Sequence, residues 1–206
     1  MPANASEWDL KHAAASQGAG PEPASIVREL LPLLPPGPAL DLACGTGRHT
    51  VLLASRHQPV TAVDWSPTAL TILAERARSL NYPVHPGTTS DIAAPSATRG
   101  IWLVRADLDH VALPVNSFSL ILCVQFLQRA LFAKIERALR PGGVLLFETF
   151  TRAQLEFAGG PRNPCYLLDA GELRGAFPWL EVLFYRELRA GQGIASLIAR
   201  KPDQEH

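Results

Sequence analysis

The sequence lacks the features that would assign it to several large protein classes. Lys+Arg and Asp+Glu number 19 each, so the basic excess of a nucleic-acid-binding protein is absent. The three cysteines are widely spaced and form no Cys-x-x-Cys pair, which argues against a disulfide framework. No apolar run approaches the ~18 residues of a membrane helix, and the first residues have no signal-peptide pattern. We therefore expect a cytoplasmic protein that binds neither nucleic acid nor a membrane.

The length and composition are those of one globular domain. The chain has 206 residues, of which 47% are hydrophobic and 18% are charged, and a domain typically takes roughly 150 residues. Residues 1–24 are small and polar, with Trp8 as the one large side chain. We predict that residues 1–24 form an N-terminal segment, a candidate substrate lid, and that residues 25–201 form the domain.

Apolar strands alternate with helical patterns along most of the chain, which favours a parallel sheet with helices on both faces. A short glycine-containing connection at 191–193 predicts a closing antiparallel hairpin. We predict a seven-stranded, mostly parallel α/β sheet, and we interpret residues 81–100 as an irregular insertion. The predicted strands cover residues 39–43, 60–63, 101–104, 118–124, 144–150, 180–188 and 194–200.

A glycine turn and an acidic residue predict nucleoside binding. Gly45 and Gly47 lie between the first strand and a helix, where backbone amides approach a ligand closely. Asp64 ends the second strand, 64 − 47 = 17 residues beyond Gly47, near the ~20-residue offset of a ribose-binding carboxylate. The structural alternatives are an ordinary turn and a helix-capping Asp, although Ser66 already suits the cap.

The glycine turn belongs to a set of motifs that resembles the class I S-adenosylmethionine-dependent methyltransferases. Ala43-Cys44-Gly45-Thr46-Gly47 resembles their G-x-G-x-G turn, with Ala43 in place of the first glycine. The segment 105–108 resembles their adenine-binding acidic loop, and 139–145 resembles their L-x-P-G-G turn. The resemblance covers roughly residues 25–200 and is greatest to small-molecule enzymes of the tellurite and thiopurine type.

The resemblance implies a Rossmann-like fold, S-adenosylmethionine as cofactor, and direct in-line transfer of its methyl group. Because the sulfonium methyl is already electrophilic, neither a metal nor an obligatory catalytic side chain is required. The acceptor must instead be held in line, about 3–3.5 Å from the methyl carbon. The resemblance implies cofactor contacts from Asp41, Ala43, Cys44, Gly45, Thr46, Gly47, Asp64, Trp65, Asp107, Leu108 and Gln125.

Candidate acceptor-binding residues lie at the rim of the same sheet edge. They are His12, Gln125, Arg162 and Tyr166, and the segment 159–166 is a candidate lid because it follows the fifth predicted strand. Each candidate also has an interpretation without a role in acceptor binding. His12 could be a surface histidine, Gln125 a helix cap, and the segment 159–166 a plain connection.

Three other functions remain open at this point. A nicotinamide-dependent oxidoreductase would need G-x-G-x-x-G, but Thr50 occupies the third glycine position. A non-catalytic S-adenosylmethionine-binding protein has the same motifs, and an RNA methyltransferase is disfavoured only by the neutral charge. We expect a small-molecule acceptor and a monomer or homodimer, while the accepting atom (N, O, S or a metalloid) stays undetermined.

Overall fold

The structure is a computed structural model that describes residues 22–87, 92–95 and 99–203. The predicted N-terminal segment 1–24 therefore lies almost wholly outside the described residues, together with Trp8 and His12. The described strands are β1 (Ala39–Leu42), β2 (Pro59–Asp64), β3 (Val84–Gly87), β4 (Gly100–Arg105), β5 (Phe118–Val124), β6 (Leu139–Phe150), β7 (Glu181–Arg189) and β8 (Gly193–Arg200).

The strands form one sheet in the order β3-β4-β2-β1-β5-β6-β8-β7. The first six strands of this order run parallel, and β8 pairs antiparallel with both β6 and β7. The predicted mostly parallel sheet with a closing hairpin is therefore confirmed. The carboxyl ends of β4, β2, β1, β5 and β6 meet along one edge, where ligands of α/β sheets bind.

The sheet has eight strands rather than the predicted seven, because the predicted irregular insertion contains β3. This strand pairs in parallel with β4 at the end of the sheet, and His85 stacks on Trp102 with ring centroids 4.7 Å apart. Pro86 and Gly87 are usually strand breakers, which is why the sequence suggested irregular chain. An edge strand tolerates proline, since one side of the strand needs no N–H donor.

Helices cover both faces of the sheet, as predicted. The helices are α1 (Ser25–Glu29), α2 (Arg48–Ser55), α3 (Pro67–Ser79), α4 (Phe132–Ala138) and α5 (Glu172–Gly175). Alternate residues of β5 belong to two different hydrophobic clusters. Leu120 and Leu122 pack with the core of α1 and α2, whereas Ile121 and Cys123 pack with that of α4 and α5. No helix among the described residues is long and apolar enough to cross a membrane.

Candidate active site

The glycine turn after β1 has three residues in the left-handed region. Ala43 and Gly45 each have φ 54°, and Gly47 has φ 79°. A Cβ on Gly47 would lie 2.1 Å from Cδ1 of Leu73 in α3, so only glycine fits there. The turn also bonds to the neighbouring strand, because the Cys44 amide donates to the Val63 carbonyl at 3.0 Å. These contacts hold the turn tightly against the ends of β2 and α3.

Asp64 closes the turn from the end of β2. Its Oδ2 accepts from the Gly45 amide at 2.8 Å, and its Oδ1 accepts from the Ser66 amide at 2.9 Å. Ser66 itself caps α3 as predicted, because its hydroxyl accepts from the Ala69 amide at 3.0 Å. Sequence reasoning missed that Asp64 organises the turn, and each of its oxygens retains a further lone pair for a ligand hydroxyl.

Asp41 lies buried at the end of β1, behind the turn. The Thr50 hydroxyl donates to its Oδ2 at 2.6 Å. Burial raises the pKa of Asp41 to about 7, and the negative charge of Asp64 adds to the rise, whereas the Thr50 bond and Arg48 oppose it. A cation that arrives at this edge would favour the ionised carboxylate.

Arg48 joins the glycine turn to the end of β5. Its Nη2 donates to Oε1 of Gln125 at 2.8 Å. Gln125 has φ 60°, and its amide donates to the Glu148 carbonyl of β6 at 2.7 Å. The helix cap is instead Gln128, which accepts from the Ala130 amide. The alternative interpretation of Gln125 as the cap of the next helix is therefore wrong. Sequence reasoning missed Arg48, which directly follows the glycine turn.

The acidic loop after β4 lies beside Asp64, because the Ala106 amide donates to the Asp64 carbonyl at 3.1 Å. Asp107 accepts from the Asp109 amide at 3.0 Å and from His110 Nδ1 at 2.8 Å. Partial burial tends to raise the pKa of Asp107, but these two hydrogen bonds outweigh it and hold the pKa below its usual value. Leu108 is buried, whereas Trp65 is 39% exposed. The predicted cofactor residues thus lie at the ends of β4, β2 and β1, except for Gln125, which follows β5.

The segment 159–166 is anchored to its own surroundings. The Arg162 guanidinium donates to the carbonyls of Leu155 at 2.8 Å and Phe157 at 2.9 Å. Tyr166 ends a short 3₁₀ helix, Pro164–Tyr166, whose start is capped by the Asn163 side chain. The structure therefore places Arg162 and Tyr166 in one loop after β6, separate from the β4–β2–β1 strand ends.

The charged side chains at these strand ends fit the polar groups of S-adenosylmethionine. The carboxylates of Asp41, Asp64 and Asp107 suit an ammonium group, a sulfonium and ribose hydroxyls, and the Arg48 guanidinium suits a carboxylate. In the turn beside them, Gly45 and Gly47 have no side chain and have a positive φ. Among the described residues, no group of three or more His, Cys, Asp or Glu could hold a metal ion.

This sheet, with a glycine turn after β1 and an acidic residue at the end of β2, defines a class I S-adenosylmethionine-dependent methyltransferase domain. The chain belongs to the methyltransferase domain family Methyltransf_11, whose profile matches residues 40–147. It is 28% identical over 125 residues to malonyl-[acyl-carrier protein] O-methyltransferase from Serratia marcescens, covering 58% of this chain and 41% of that enzyme. The chain thus spans about two fifths of that relative's length.

Solved structures with little sequence identity share the fold. TehB from Haemophilus influenzae superposes with a TM-score of 0.68 at 18% identity, covering 87% of this chain and 62% of TehB. An S-adenosylmethionine-dependent methyltransferase from Methanosarcina mazei gives a TM-score of 0.61 at 20% identity, covering 89% of this chain and 100% of that protein. The predicted enzyme class and cofactor are therefore confirmed by the family match.

Proposed function

We propose that the chain transfers a methyl group from S-adenosylmethionine to a small-molecule acceptor by direct in-line displacement. The observation that carries this proposal is the Asp64 carboxylate, which lies at the carboxyl end of β2 and bonds the Gly45 amide at 2.8 Å. It places a carboxylate that accepts two hydrogen bonds beside the glycines of the turn, as a nucleoside site requires.

Different residues around the turn bind different parts of the cofactor. Asp64 accepts from the ribose hydroxyls, and Asp107 lies at the adenine side. Asp41 and Arg48 offer opposite charges for the amino-acid end of the cofactor. When bound, S-adenosylmethionine supplies an electrophilic methyl group. The protein has to keep water out and hold the acceptor within about 3–3.5 Å of that carbon, and Gln125 lies at the border between the two ligands.

The small-molecule acceptor is supported by charge and by similarity. Lys+Arg and Asp+Glu balance at 19 each, which gives no field for a long polyanion. The curated relative is named for O-methylation of malonyl-[acyl-carrier protein], and this makes carboxyl oxygens the first acceptors to test. The similarity covers 41% of that relative, so we carry over the reaction type as a proposal and not its substrate.

A binding and turnover assay tests the proposal. S-adenosylmethionine and S-adenosylhomocysteine should raise the melting temperature, because a ligand at about 100 times its Kd stabilises the native state by about 2.7 kcal/mol. NAD should not. A panel of carboxylate, amine, thiol and metalloid acceptors should then reveal one that releases S-adenosylhomocysteine.

The same assay separates the alternatives. Stabilisation by NAD alone would end the methyltransferase proposal. Cofactor binding without turnover on any small acceptor, but with turnover on RNA, would favour an RNA methyltransferase. Binding with no turnover on either class would favour a non-catalytic binding protein.

We further propose that the segment Gly159–Tyr166 acts as the acceptor lid. Gly159 and Gly160 have φ 72° and 68°, and Gln154 Nε2 donates to the Gly159 carbonyl at 3.1 Å, so the glycines lie at one tethered end. Loss of the Arg162 bonds should loosen the lid. Arg162→Ala should therefore raise the acceptor KM or lower kcat, while cofactor affinity stays within a few-fold.

A control for the lid is Arg200→Ala, which removes an exposed ion pair with Glu181 in the closing hairpin. Its acceptor kinetics should match the wild type. If Arg162→Ala loses cofactor binding, or turns over every acceptor like the wild type, the segment is only a connection.

A further inference from the structure

Two cavities open beside the end of β6, and both are lined by Arg152. One has a volume of about 370 Å³ and is lined by Arg129, Arg152, Pro164, Cys165, Asp169 and Glu172. The other has about 310 Å³ and extends past Arg152 toward Glu156 and Arg189. Arg152 follows β6 by two residues, at the same sheet edge as the cofactor residues. None of the individually predicted site residues lines either cavity, although Pro164 and Cys165 belong to the candidate lid, segment 159–166.

The first cavity contains two arginines that differ in what they already bind. Arg129 already uses four of its five N–H donors: Nε and Nη2 bond the Glu172 carboxylate, and Nη1 and Nη2 donate to the carbonyls of Cys165 and Leu167. These bonds raise the pKa of Arg129 and lower that of Glu172, chiefly through the Arg129–Glu172 hydrogen bonds. Arg129 therefore has a structural role, because its bonds hold the 3₁₀ helix after β5 against the loop after β6.

Arg152 keeps donors available. Its Nε bonds Asp169 Oδ1, and within the described ranges its two terminal nitrogens donate to no protein atom. The Arg152 and Asp169 side chains are 53% and 65% exposed, and an ion pair that exposed is worth only about 0–1 kcal/mol. A ligand can therefore engage Nη1 and Nη2 without first breaking a strong interaction.

The two guanidinium nitrogens and the position of Arg152 indicate a ligand class. Paired planar N–H donors match the two oxygens of a carboxylate. The strand register pairs Val124 with Glu148, so Arg152 lies four residues beyond the end of β5, roughly 13 Å along the chain at ~3.3 Å per residue. Arg152 therefore follows the end of β6, and in the strand order β1-β5-β6 Gln125 lies between it and the glycine turn.

We propose that Arg152 anchors the methyl acceptor and that the acceptor carries a carboxylate. This inference rests on the proposed function and deepens it, because it assigns the acceptor side of the same sheet edge. Asp169 competes for the guanidinium and limits the affinity of the bare anion. Arg129 and Glu172 shape the cavity and do not bind the ligand.

Carboxylate binding to the full chain, saturated with S-adenosylhomocysteine, tests the proposal. Malonate, glutarate and benzoate, each paired with its neutral amide, are titrated by calorimetry. At least one carboxylate should bind the wild type, and Arg152→Gln should weaken it about tenfold or more, as expected for hydrogen bonds to a charged group. The amides should not distinguish the two proteins.

Two further variants bracket this result. Arg189→Gln removes a neighbouring cavity arginine that Glu156 already binds through two nitrogens, so carboxylate affinity should stay within about twofold of the wild type. Asp169→Asn removes the competing carboxylate and should tighten binding. Melting temperatures of all variants check that the fold is retained.

Several outcomes would overturn the proposal. These are equal carboxylate affinity in Arg152→Gln and the wild type, equal losses in Arg152→Gln and Arg189→Gln, or no carboxylate binding at all. Inorganic phosphate binding more tightly than every carboxylate would also overturn the assigned ligand class. Failure of S-adenosylhomocysteine to bind would instead overturn the proposed function. Repeating the carboxylate titrations without it would still test whether Arg152 binds a carboxylate.

Discussion

The two halves of the carboxyl sheet edge are built differently. On the cofactor side, at the ends of β4, β2 and β1, buried groups are fixed by short hydrogen bonds, such as Thr50 to Asp41 at 2.6 Å and Gly45 to Asp64 at 2.8 Å. On the acceptor side, beyond β5 and β6, 3₁₀ turns are held by exposed ion pairs such as Arg152–Asp169. The first half is held by buried hydrogen bonds, and the second half is held by exposed ion pairs.

This difference matches what each half has to do. One cofactor requires one geometry, so the protein can fix it with backbone amides and buried carboxylates. An acceptor site varies between enzymes of the same fold, because function depends on sites placed on a common scaffold. Exposed ion pairs are weak, so the acceptor side can change its residues at little cost in stability. The first side should therefore be sensitive to substitution, and the second should be tolerant.

The largest expected effect comes from Gly47→Val. The new Cβ would lie 2.1 Å from Leu73, at a φ of +79° that side chains rarely adopt. We expect a loss of roughly 4–5 kcal/mol in the free energy of unfolding from overpacking and strain together, and no measurable cofactor binding. Urea unfolding and S-adenosylhomocysteine titration measure both.

Gly171→Val is the matched control on the acceptor side. Gly171 has nearly the same φ, +75°, but a Cβ there has nothing within 4 Å. Only the strain is left, so we expect a loss of about 1–2 kcal/mol and normal cofactor affinity. Equal destabilisation by the two substitutions would show that space around the cofactor turn is not what distinguishes the halves.

The buried carboxylate of Asp41 should make stability depend on pH. Burial raises its pKa from 3.8 to about 7, so between these values the folded state binds a proton that the unfolded state releases. The contribution of Asp41 to the free energy of unfolding should therefore fall as pH rises from about 4 to about 7, by up to about 4 kcal/mol, and then level off. Burial lowers the pKa of His49 to about 3, and this raises the free energy of unfolding with pH over much of the same range. The contribution of Asp41 is therefore measured as the difference in the free energy of unfolding between the wild type and Asp41→Asn, and the variant should be the more stable of the two at about pH 8.

Asp107→Asn is the control for the direction in which a carboxyl group makes stability change with pH. Hydrogen bonds from Asp109 and His110 lower the pKa of Asp107, so its contribution is present above the ordinary carboxyl range and is lost only at lower pH. Between about pH 4 and pH 7 the stability of Asp107→Asn relative to the wild type should therefore stay nearly constant, whereas that of Asp41→Asn should rise. A stability difference between Asp41→Asn and the wild type that does not change with pH would contradict the raised pKa of Asp41.

Asp64→Ala should damage both binding and folding. It removes the ribose acceptor, which should weaken S-adenosylhomocysteine binding about tenfold or more. It also leaves the amides of Gly45 and Ser66 without their acceptor, which should cost about 2 kcal/mol of stability. Asp64→Asn keeps one acceptor oxygen and should lose less of both. Unchanged affinity in Asp64→Ala would mean that the ribose lies elsewhere.

The sequence predicted the glycine turn and the carboxylate at the end of β2 because these signals are local. Gly45, Gly47 and Asp64 have a spacing that the backbone requires, and the sheet topology follows from the strand–helix alternation. The sequence did not predict the hydrogen bond from the Gly45 amide to Asp64, the Arg48–Gln125 contact, or Arg152. Those contacts join residues far apart in the chain, up to 77 positions for Arg48–Gln125, and carry no periodic pattern. Strand β3 was missed because proline is acceptable only at a sheet edge.

The smallest expected effect is that of Ala43→Gly, which tests whether the cofactor turn is at its optimum. Ala43 has a φ of 54° where related turns have glycine, and the left-handed region costs an alanine about 1–2 kcal/mol. Glycine removes that strain but gains about 0.4–1 kcal/mol of unfolded-chain entropy. We therefore expect a stabilisation of about 1 kcal/mol or less, with cofactor affinity equal or slightly higher. His57→Gly, at a φ of 64° in the loop after α2, controls for strain relief away from the site. Destabilisation by Ala43→Gly alone would mean that the Ala43 methyl group packs against the core strongly enough to outweigh its strain.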